Sequence, residues 1–257
     1  MHLQSIRIHI DQEDQADYPL NLPFLRGLSQ IHFQKPVTIF VGENGTGKST
    51  LLEAIAVHVG SILIGGEYKE AELSDELAKH LSLSWTIKTR KGFFFRANEF
   101  NQFIERIKRI KGDTKEKLRE IIAKKGRKSL EIMPYARTLS ELEHLYGDGL
   151  EYRSHGESFL AMFQSRFQPG GLYILDEPEA PLSPLKQLTL ISMIKEMVEA
   201  NCQFIIATHS PILMSYPDAD LFSFEDDQLQ RTSYTDLEHV QLTRDFLNRP
   251  ESFLRHL

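Results

Sequence analysis

Cysteine is almost absent from this sequence of 257 residues, which has a single one at Cys202. One cysteine excludes an internal disulfide framework, and its place beside the apolar run 204–206 indicates a buried structural thiol in a reducing compartment, which we expect to be cytoplasmic. Long hydrophobic runs are absent too, since no window approaches the ~20 apolar residues of a membrane helix or has a signal peptide's pattern. We therefore expect no membrane insertion.

Positive charge is in the minority, because 30 Lys and Arg stand against 36 Asp and Glu. The resulting net charge of −6 gives no overall indication of a nucleic-acid partner. Segment 104–130 is the exception, with eleven Lys and Arg against four Asp and Glu. Two interpretations stay open for it: a solvated amphipathic helical hairpin, or a surface that contacts the phosphates of DNA or RNA without reading their sequence.

Apolar periodicity predicts strands that alternate with helices, an order that indicates a mostly parallel sheet. We expect an α/β fold in one domain over 1–257, with an N-terminal antiparallel β portion and a short helical insertion over 98–150. The predicted strands are 2–10, 37–41, 83–89, 93–97, 172–175 and 204–207, with a hairpin over 221–224 and 229–232. The predicted helices are 49–59, 98–125 with a break near Gly112 and Asp113, 156–167, 184–200 and 236 onward.

A glycine-rich loop, GENGTGKST, directly follows the second of these strands. It meets the pattern G-x-x-x-x-G-K-[ST], in which glycine lets the backbone point N–H groups at phosphate oxygens and the next helix adds its positive end. The lysine of this pattern reaches the β- and γ-phosphates, and the serine hydroxyl holds Mg²⁺. The loop thus predicts an ATP site made by Gly42, Glu43, Asn44, Gly45, Thr46, Gly47, Lys48, Ser49 and Thr50.

Two acidic residues end another apolar run, in GLYILDEPE. If this run is a buried strand, Asp176 can hold Mg²⁺, and Glu177 can orient and deprotonate water. A third apolar run ends in ATHSP, which places His209 just past a parallel strand, at the edge where open α/β sheets bind ligands. The predicted catalytic residues are Glu177, Lys48 and His209, and the predicted metal ligands include Ser49 and Asp176.

In this order the motifs resemble those of the ABC-type ATPase superfamily, and within it the soluble SMC-like, RecF-like and OLD-like branch. GENGTGKST is similar to Walker A, YILDEPE to Walker B with its catalytic glutamate, ATHSP to the switch histidine, and RSHGES to the signature LSGGQ. The chain looks most like the small stand-alone AAA-type ATPases, which share its ending LTRDFLNRPESFLRHL. The resemblance implies a P-loop NTPase fold that binds ATP with Mg²⁺ and hydrolyses it.

The resemblance also implies a pair of subunits. In these ATPases the signature loop of one subunit closes over the ATP held by the P-loop of the other, so that ATP joins the subunits and hydrolysis releases them. Ser154 and Gly156 would then contact nucleotide across an ATP-dependent homodimer. The family's magnesium-sensing glutamine corresponds to Gln102, with Glu99 as the competing candidate.

Departures from the family pattern affect the signature and the loop after Walker B. His155 replaces a glycine, and Leu-Ser-Pro at 182–184 stands where OLD-like proteins have Leu-His-Pro. Candidates for stacking on adenine are Tyr18, Phe24 and Arg26.

Several roles remain open for such an ATPase. Its nucleotide cycle could drive a conformational change in DNA repair or phage defence, with a separate nuclease chain as partner. The alternatives are an ATP-binding subunit of an ABC transporter and a nucleotide-dependent binding switch with negligible turnover. Segment 104–130 lies where SMC-like relatives insert coiled coils, but it is too short for sustained heptads and predicts only a small helical lobe.

Overall fold

The computed structural model describes residues 1–11, 17–64, 71–146 and 155–255. Its strands are β1 Leu3–Ile8, β2 Gln30–His32, β3 Val37–Gly42, β4 Ile62–Ile64, β5 Leu81–Trp85, β6 Gly92–Arg96, β7 Leu172–Asp176, β8 Gln203–Ala207, β9 Asp220–Glu225 and β10 Gln228–Thr232. Its helices are α1 Lys48–Val59, α2 Ala71–Lys79, α3 Phe100–Lys125, α4 Ile132–Tyr146, α5 His155–Arg166, α6 Pro184–Glu199, α7 Pro211–Met214, α8 Glu238–Asn248 and α9 Pro250–Leu254.

The central sheet has the order β10-β9-β3-β8-β7-β6-β4 within the described residues. All neighbouring strands in it are parallel except the terminal hairpin of β9 and β10. Strands β3, β7 and β8 are adjacent and almost wholly buried, as expected of parallel strands that helices cover on both faces. Their carboxyl ends therefore meet at one edge of the sheet.

The N-terminal antiparallel portion is a smaller sheet of order β2-β1-β5. Its buried side chains, with those of α1, form one hydrophobic cluster against one face of the central sheet. The second cluster, on the other face, includes buried residues of α5 and α6. Residues of β7 alternate between the two, with Ile174 in the first cluster and Tyr173 and Leu175 in the second. The predicted α/β class, mostly parallel with an antiparallel N-terminal portion, is confirmed.

The predicted break near Gly112 and Asp113 is wrong, because α3 runs unbroken through both residues. A single glycine costs a helix only about 1 kcal/mol, and α3 packs along α4. Thr114 is buried on this helix, and its hydroxyl donates to the carbonyl of Ile110 at 2.6 Å. The helical insertion over 98–150 stays a prediction. Residues 147–150 of it lie outside the described part of the chain.

The strand predicted at 83–89 lies earlier in the chain, as β5, and does not pair with the next strand. Strand β5 joins the small antiparallel sheet, whereas β6 enters the central sheet between β4 and β7. Cys202 is buried with 1% exposure, as its apolar surroundings predicted.

Candidate active site

The glycine loop joins the end of β3 to the start of α1 and wraps over the sheet edge. Gly47, which immediately precedes α1, has φ +95° in the left-handed region, and a Cβ there would lie 2.6 Å from Cε1 of Phe24. Only glycine meets both conditions without strain. Helix α1 therefore begins at Lys48, and its first-turn N–H groups, which have no partner inside the helix, face the loop as an anion site.

Lys48 folds back over the loop that precedes it. Its Nζ donates to the carbonyl oxygens of Gly42 at 2.7 Å and Glu43 at 2.6 Å. Burial lowers the pKa of Lys48, while Glu177 and Asp176 oppose this shift as nearby anions. The ammonium group is thus held by neutral carbonyls at the mouth of the loop, where a phosphate could compete for it.

Ser49 and Asp176 bring α1 and β7 together. The Ser49 hydroxyl donates to Oδ1 of Asp176 at 3.1 Å. Burial raises the pKa of Asp176 to about 6, against the lowering effect of Arg96. Hydroxyl and carboxylate oxygens are the ligand type that Mg²⁺ prefers, and a buried carboxylate with a raised pKa is one that a cation would stabilise. These two side chains fit a magnesium site.

Glu177 and His209 face each other. Glu177 directly follows Asp176, and His209 is two residues beyond the end of β8. His209 Nε2 lies 3.7 Å from Oε1 of Glu177 and, although buried, has no hydrogen-bond partner in the described part of the chain. Burial and the nearby Lys48 cation lower the pKa of His209, so its ring is neutral at pH 7. Glu177 has φ +50°, and its N–H donates to Ala207 at 2.9 Å. This uncommon backbone conformation at a carboxylate is typical of functional sites.

A cavity of about 240 Å³ opens beside the loop and includes Tyr18 and Glu177 in its lining. The Tyr18 hydroxyl lies 2.8 Å from Oγ1 of Thr50, and its ring is 46% exposed. Phe24 is buried, at 3% exposure and edge-on to Phe224, and it lines a second cavity beside the loop, so its stacking role stays a prediction. Arg26 is exposed. The full lining is Tyr18, Leu22, Asn44, Gly45, Gly47, Lys48, Ser49, Thr50 and Glu177.

The two candidates for magnesium sensing occupy different places. Gln102 is exposed on α3 and lines a separate surface cavity with residues of the same helix, Glu105 among them. Glu99 lies 3.4 Å from Arg96, whose Nε is 3.4 Å from Asp176. The role of Gln102 stays a prediction, and it is Glu99 that is connected to Asp176 through Arg96.

Of the two predicted signature residues, Gly156 lies in the first turn of α5. Ser154 is outside the described residues, so its position is not tested. Gly156 is buried, and a Cβ there would lie 2.9 Å from the carbonyl oxygen of Pro181 and from Cδ of Lys186. Within this chain, the glycine therefore permits close packing of α5 against the segment before α6.

Sequence reasoning missed Glu179, the second glutamate of YILDEPE. Its Oε1 accepts the backbone N–H of His209 at 2.7 Å, and burial raises its pKa. It thereby fixes the loop that carries His209. Its signal in the sequence was its spacing of two residues from Glu177, which places both side chains near the same sheet edge.

Arg96 and Glu53 were also missed. Arg96 ends β6 in register with Asp176, and its Nη2 lies 2.6 Å from Oε2 of Glu53. The only indication for Glu53 was a charged residue among the apolar side chains of α1. Nothing in the local pattern of FFFRANEF separated Arg96 from a solvated arginine.

The chain matches the model of the AAA domain family AAA_23 over residues 21–167, more than half of its length. It belongs to this AAA domain family. The AAA_23 match includes the glycine loop, whereas Asp176, Glu177 and His209 follow it in the sequence.

Two curated relatives are ATP-binding proteins of importers. The hemin import ATP-binding protein HmuV of Pseudomonas fluorescens is 26% identical over 182 residues, 66% of this chain and 64% of that protein. The cobalt import ATP-binding protein CbiO of Salmonella typhimurium is 26% identical over 197 residues, 74% of this chain and 67% of that protein. The AAA_23 chain thus spans about two thirds of the length of these relatives.

Among solved structures, the Smc head domain from Pyrococcus furiosus, bound to the C-terminal domain of ScpA, superposes with a TM-score of 0.50. It is 14% identical, and the alignment covers 97% of this chain and 99% of that one. This likeness concerns the fold alone. The chain is thus a member of the AAA_23 family whose fold is that of an Smc head domain. None of the helices in the described ranges has the length and hydropathy of a membrane span.

Proposed function

We propose that this protein binds ATP with Mg²⁺ at the glycine loop and hydrolyses it to ADP and phosphate. The observation that carries the proposal is the convergence of three separate elements at one sheet edge. Ser49 of α1 contacts Asp176 of β7 at 3.1 Å, while Glu177 and His209 approach within 3.7 Å beside Lys48. This is the arrangement that in-line attack of water on a γ-phosphate requires.

Each residue has a distinct role in this reaction. Lys48 and the N–H groups of residues 42–50 hold the phosphates, and neutral His209 donates from Nε2 to the oxygen that gains charge. Glu177 orients the water and accepts its proton. Ser49 and Asp176 would hold Mg²⁺, which when bound neutralises phosphate charge. Tyr18 lines the same cavity and would stack on the adenine base.

The test is phosphate release by the purified chain and by its Glu177→Gln variant. Glutamine keeps the shape but accepts no proton, so we expect kcat to fall by about 10²- to 10⁴-fold while ATP binding persists. Glu141→Gln, an exposed change on α4, is the control and should leave kcat unchanged. Equal and negligible turnover by all three proteins would favour the binding switch instead.

A homodimer formed by ATP belongs to this proposal. The family arrangement would bring Ser154 and Gly156 of a second copy to the nucleotide, where the start of α5 offers a positive helix end. The buried state of Gly156 within its own chain supports a role in positioning this helix. We propose that the protein works in the reducing cytoplasm, where the buried thiol of Cys202 would stay free.

The importer relatives favour a second candidate, the ATP-binding subunit of an ABC transporter. Such a subunit should co-purify with a membrane-embedded partner from detergent extracts. The degenerate signature around His155 argues against this candidate. Recovery of the chain from such extracts without any membrane protein would count against it.

Partners in DNA repair or phage defence, either nucleic acid or a nuclease chain, would bind through 104–130. Helix α3 carries most of the positive charge of this segment on an exposed helical surface. Phosphate contacts release counterions, so we expect a labelled duplex or single strand to bind at ~50 mM salt and to dissociate steeply as salt rises. Absence of any shift with ATP and Mg²⁺ present would leave the solvated hairpin as the interpretation.

A further inference from the structure

Three charged residues adjoin the site and have no role in the reaction proposed above: Arg96, Glu53 and Glu99. The guanidinium of Arg96 contacts three carboxylates: Nη2 is 2.6 Å from Glu53, Nη1 is 3.4 Å from Glu99 and Nε is 3.4 Å from Asp176. The side chains of Glu53 and Asp176 are only 4% and 5% exposed. Charged groups that are this deeply buried lose their hydration, and favourable contacts with opposite charges must compensate for that loss.

The backbone places these groups together. Arg96 and Asp176 are register partners at the carboxyl ends of neighbouring parallel strands, so their side chains emerge side by side. Glu53 is four residues after Ser49 on α1, and the two therefore share one face of that helix. Arg96 thus lies between the helix that begins at the phosphate loop and the strand that ends in Asp176.

The two oxygens of Asp176 are divided between different partners. Oδ1 accepts from the Ser49 hydroxyl at 3.1 Å, whereas Oδ2 lies 3.4 Å from Nε of Arg96 in an ion pair whose geometry is not that of a hydrogen bond. Since a carboxylate rotates as a unit, a cation that attracts one oxygen turns the other toward Ser49. The orientation of Asp176 therefore depends on Arg96, whose own position depends on Glu53.

We propose that Arg96 is a positioning residue for the metal site: it holds Oδ2 of Asp176 so that Oδ1 and Ser49 present a ready pair of oxygens to Mg²⁺. This inference rests on the proposed function. Partners that orient metal ligands in this way usually change metal affinity by about 10- to 100-fold when they are removed. Arg96 touches neither substrate nor metal and acts only through Asp176.

A simpler explanation is that Arg96 only neutralises buried Glu53. The double variant Arg96→Met with Glu53→Gln separates the two explanations, because it removes one positive and one negative charge together. If neutralisation is the whole role, this variant regains a normal site. If positioning is the role, Asp176 still lacks its partner and the site stays impaired. Arg137→Met, a surface change on α4, is the matched control for losing an arginine.

The experiment measures equilibrium binding of the fluorescent nucleotide mant-ATP, first in EDTA and then over a range of free Mg²⁺. For each folded variant it gives the Mg²⁺ concentration at which half of the metal-dependent change in mant-ATP binding has occurred. The measurement does not depend on ATP hydrolysis. We expect the double variant to raise this midpoint by about 10- to 100-fold. Its mant-ATP affinity in EDTA should stay within about twofold of the unaltered protein, because the phosphate loop is intact.

An unchanged or lower Mg²⁺ midpoint in the double variant, with circular dichroism like that of the unaltered protein, would overturn the positioning role. The unaltered protein reports separately on the proposed function. If it binds no mant-ATP, or binds it equally with and without Mg²⁺, the proposed function fails. If it responds to Mg²⁺ and the double variant responds identically, only the inference about Arg96 fails.

Discussion

At the scale of single residues, the two adjacent carboxylates at the end of β7 have contrasting surroundings. Asp176 is 5% exposed and lies between Ser49 and Arg96, whereas Glu177 is 29% exposed and lines the cavity. The change in backbone direction at Glu177, with φ +50°, separates them. One residue step therefore divides a buried group suited to holding a cation from an accessible group suited to moving a proton.

The raised pKa of Asp176 predicts a pH-dependent difference in stability. Between its ordinary value near 3.8 and about 6, the folded protein retains a proton that the unfolded chain has lost, so the wild-type protein loses stability as pH rises through this window. Asparagine does not titrate. We expect Asp176→Asn to gain about 1.4 kcal/mol relative to wild type from pH 5 to pH 8, in urea unfolding without Mg²⁺.

The control is Asp218→Asn, because the Asp218 side chain is 91% exposed and its left-handed φ of +59° suits asparagine. This variant should show no such trend with pH. A constant difference between Asp176→Asn and wild type over the whole range would mean that the carboxylate of Asp176 is ionised throughout.

The sequence allowed the phosphate loop, Asp176, Glu177 and His209 to be predicted as neighbours, since each ends an apolar run and parallel strands end at one edge. Arg96 and Glu53 could not be predicted in this way. Their proximity depends on the register of β6 with β7 and on the rotation of α1, which are set by packing of the whole sheet and not by any local pattern.

At the scale of elements, the unbroken course of α3 is the clearest effect of tertiary context. Local propensity places a break at Gly112, but packing against α4 continues the helix. Tertiary context also decides the places of β5 and β6, which lie in different sheets. The apolar side chains of β5 all belong to one hydrophobic cluster, whereas those of β6 are divided between both clusters, as expected of a strand that is covered on both faces.

Helix α3 offers a stabilising substitution at Gly112. A Cβ there meets nothing within 4 Å, and the residue is helical and exposed. Gly112→Ala should raise the free energy of unfolding by about 0.5–1 kcal/mol, because alanine loses less backbone entropy. Urea denaturation of the variant and the unaltered protein measures this difference in the free energy of unfolding.

Gly126→Ala is the matched control at the end of the same helix. Its Cβ would also meet nothing, but φ is +78°, so alanine should destabilise the protein there. Destabilisation by both substitutions would indicate that α3 is in fact interrupted at Gly112.

At the scale of the whole molecule, the cavity beside the phosphate loop lies at the carboxyl edge of the central sheet. Among the described residues, its lining consists of the loop, Tyr18, Leu22 and Glu177, and it includes no residue of α5. An element from a second copy would complete such a site, which is the reason for expecting assembly when ATP is present.

Glu177→Gln is the variant in which that assembly should persist. It should hold ATP without hydrolysing it, and light scattering with MgATP should then give roughly twice the mass of the 29.6 kDa chain. Lys48→Ala, which weakens phosphate binding, should stay at the single-chain mass. A single-chain mass for Glu177→Gln at saturating ATP would mean that the second half of the site comes from another protein.

An amide side chain at the start of β8 links the two sheets of the molecule. Oε1 of Gln203 accepts the N–H groups of His2 and Leu3, each at 2.8 Å, and its Nε2 donates to the carbonyl of Leu3 at 2.9 Å. In a hydrogen-exchange experiment, the Leu3 amide can therefore exchange only when β1 leaves Gln203. Its exchange rate would therefore report how often the small sheet separates from the central sheet. The measurement needs no fluorescent or chemical label on the protein.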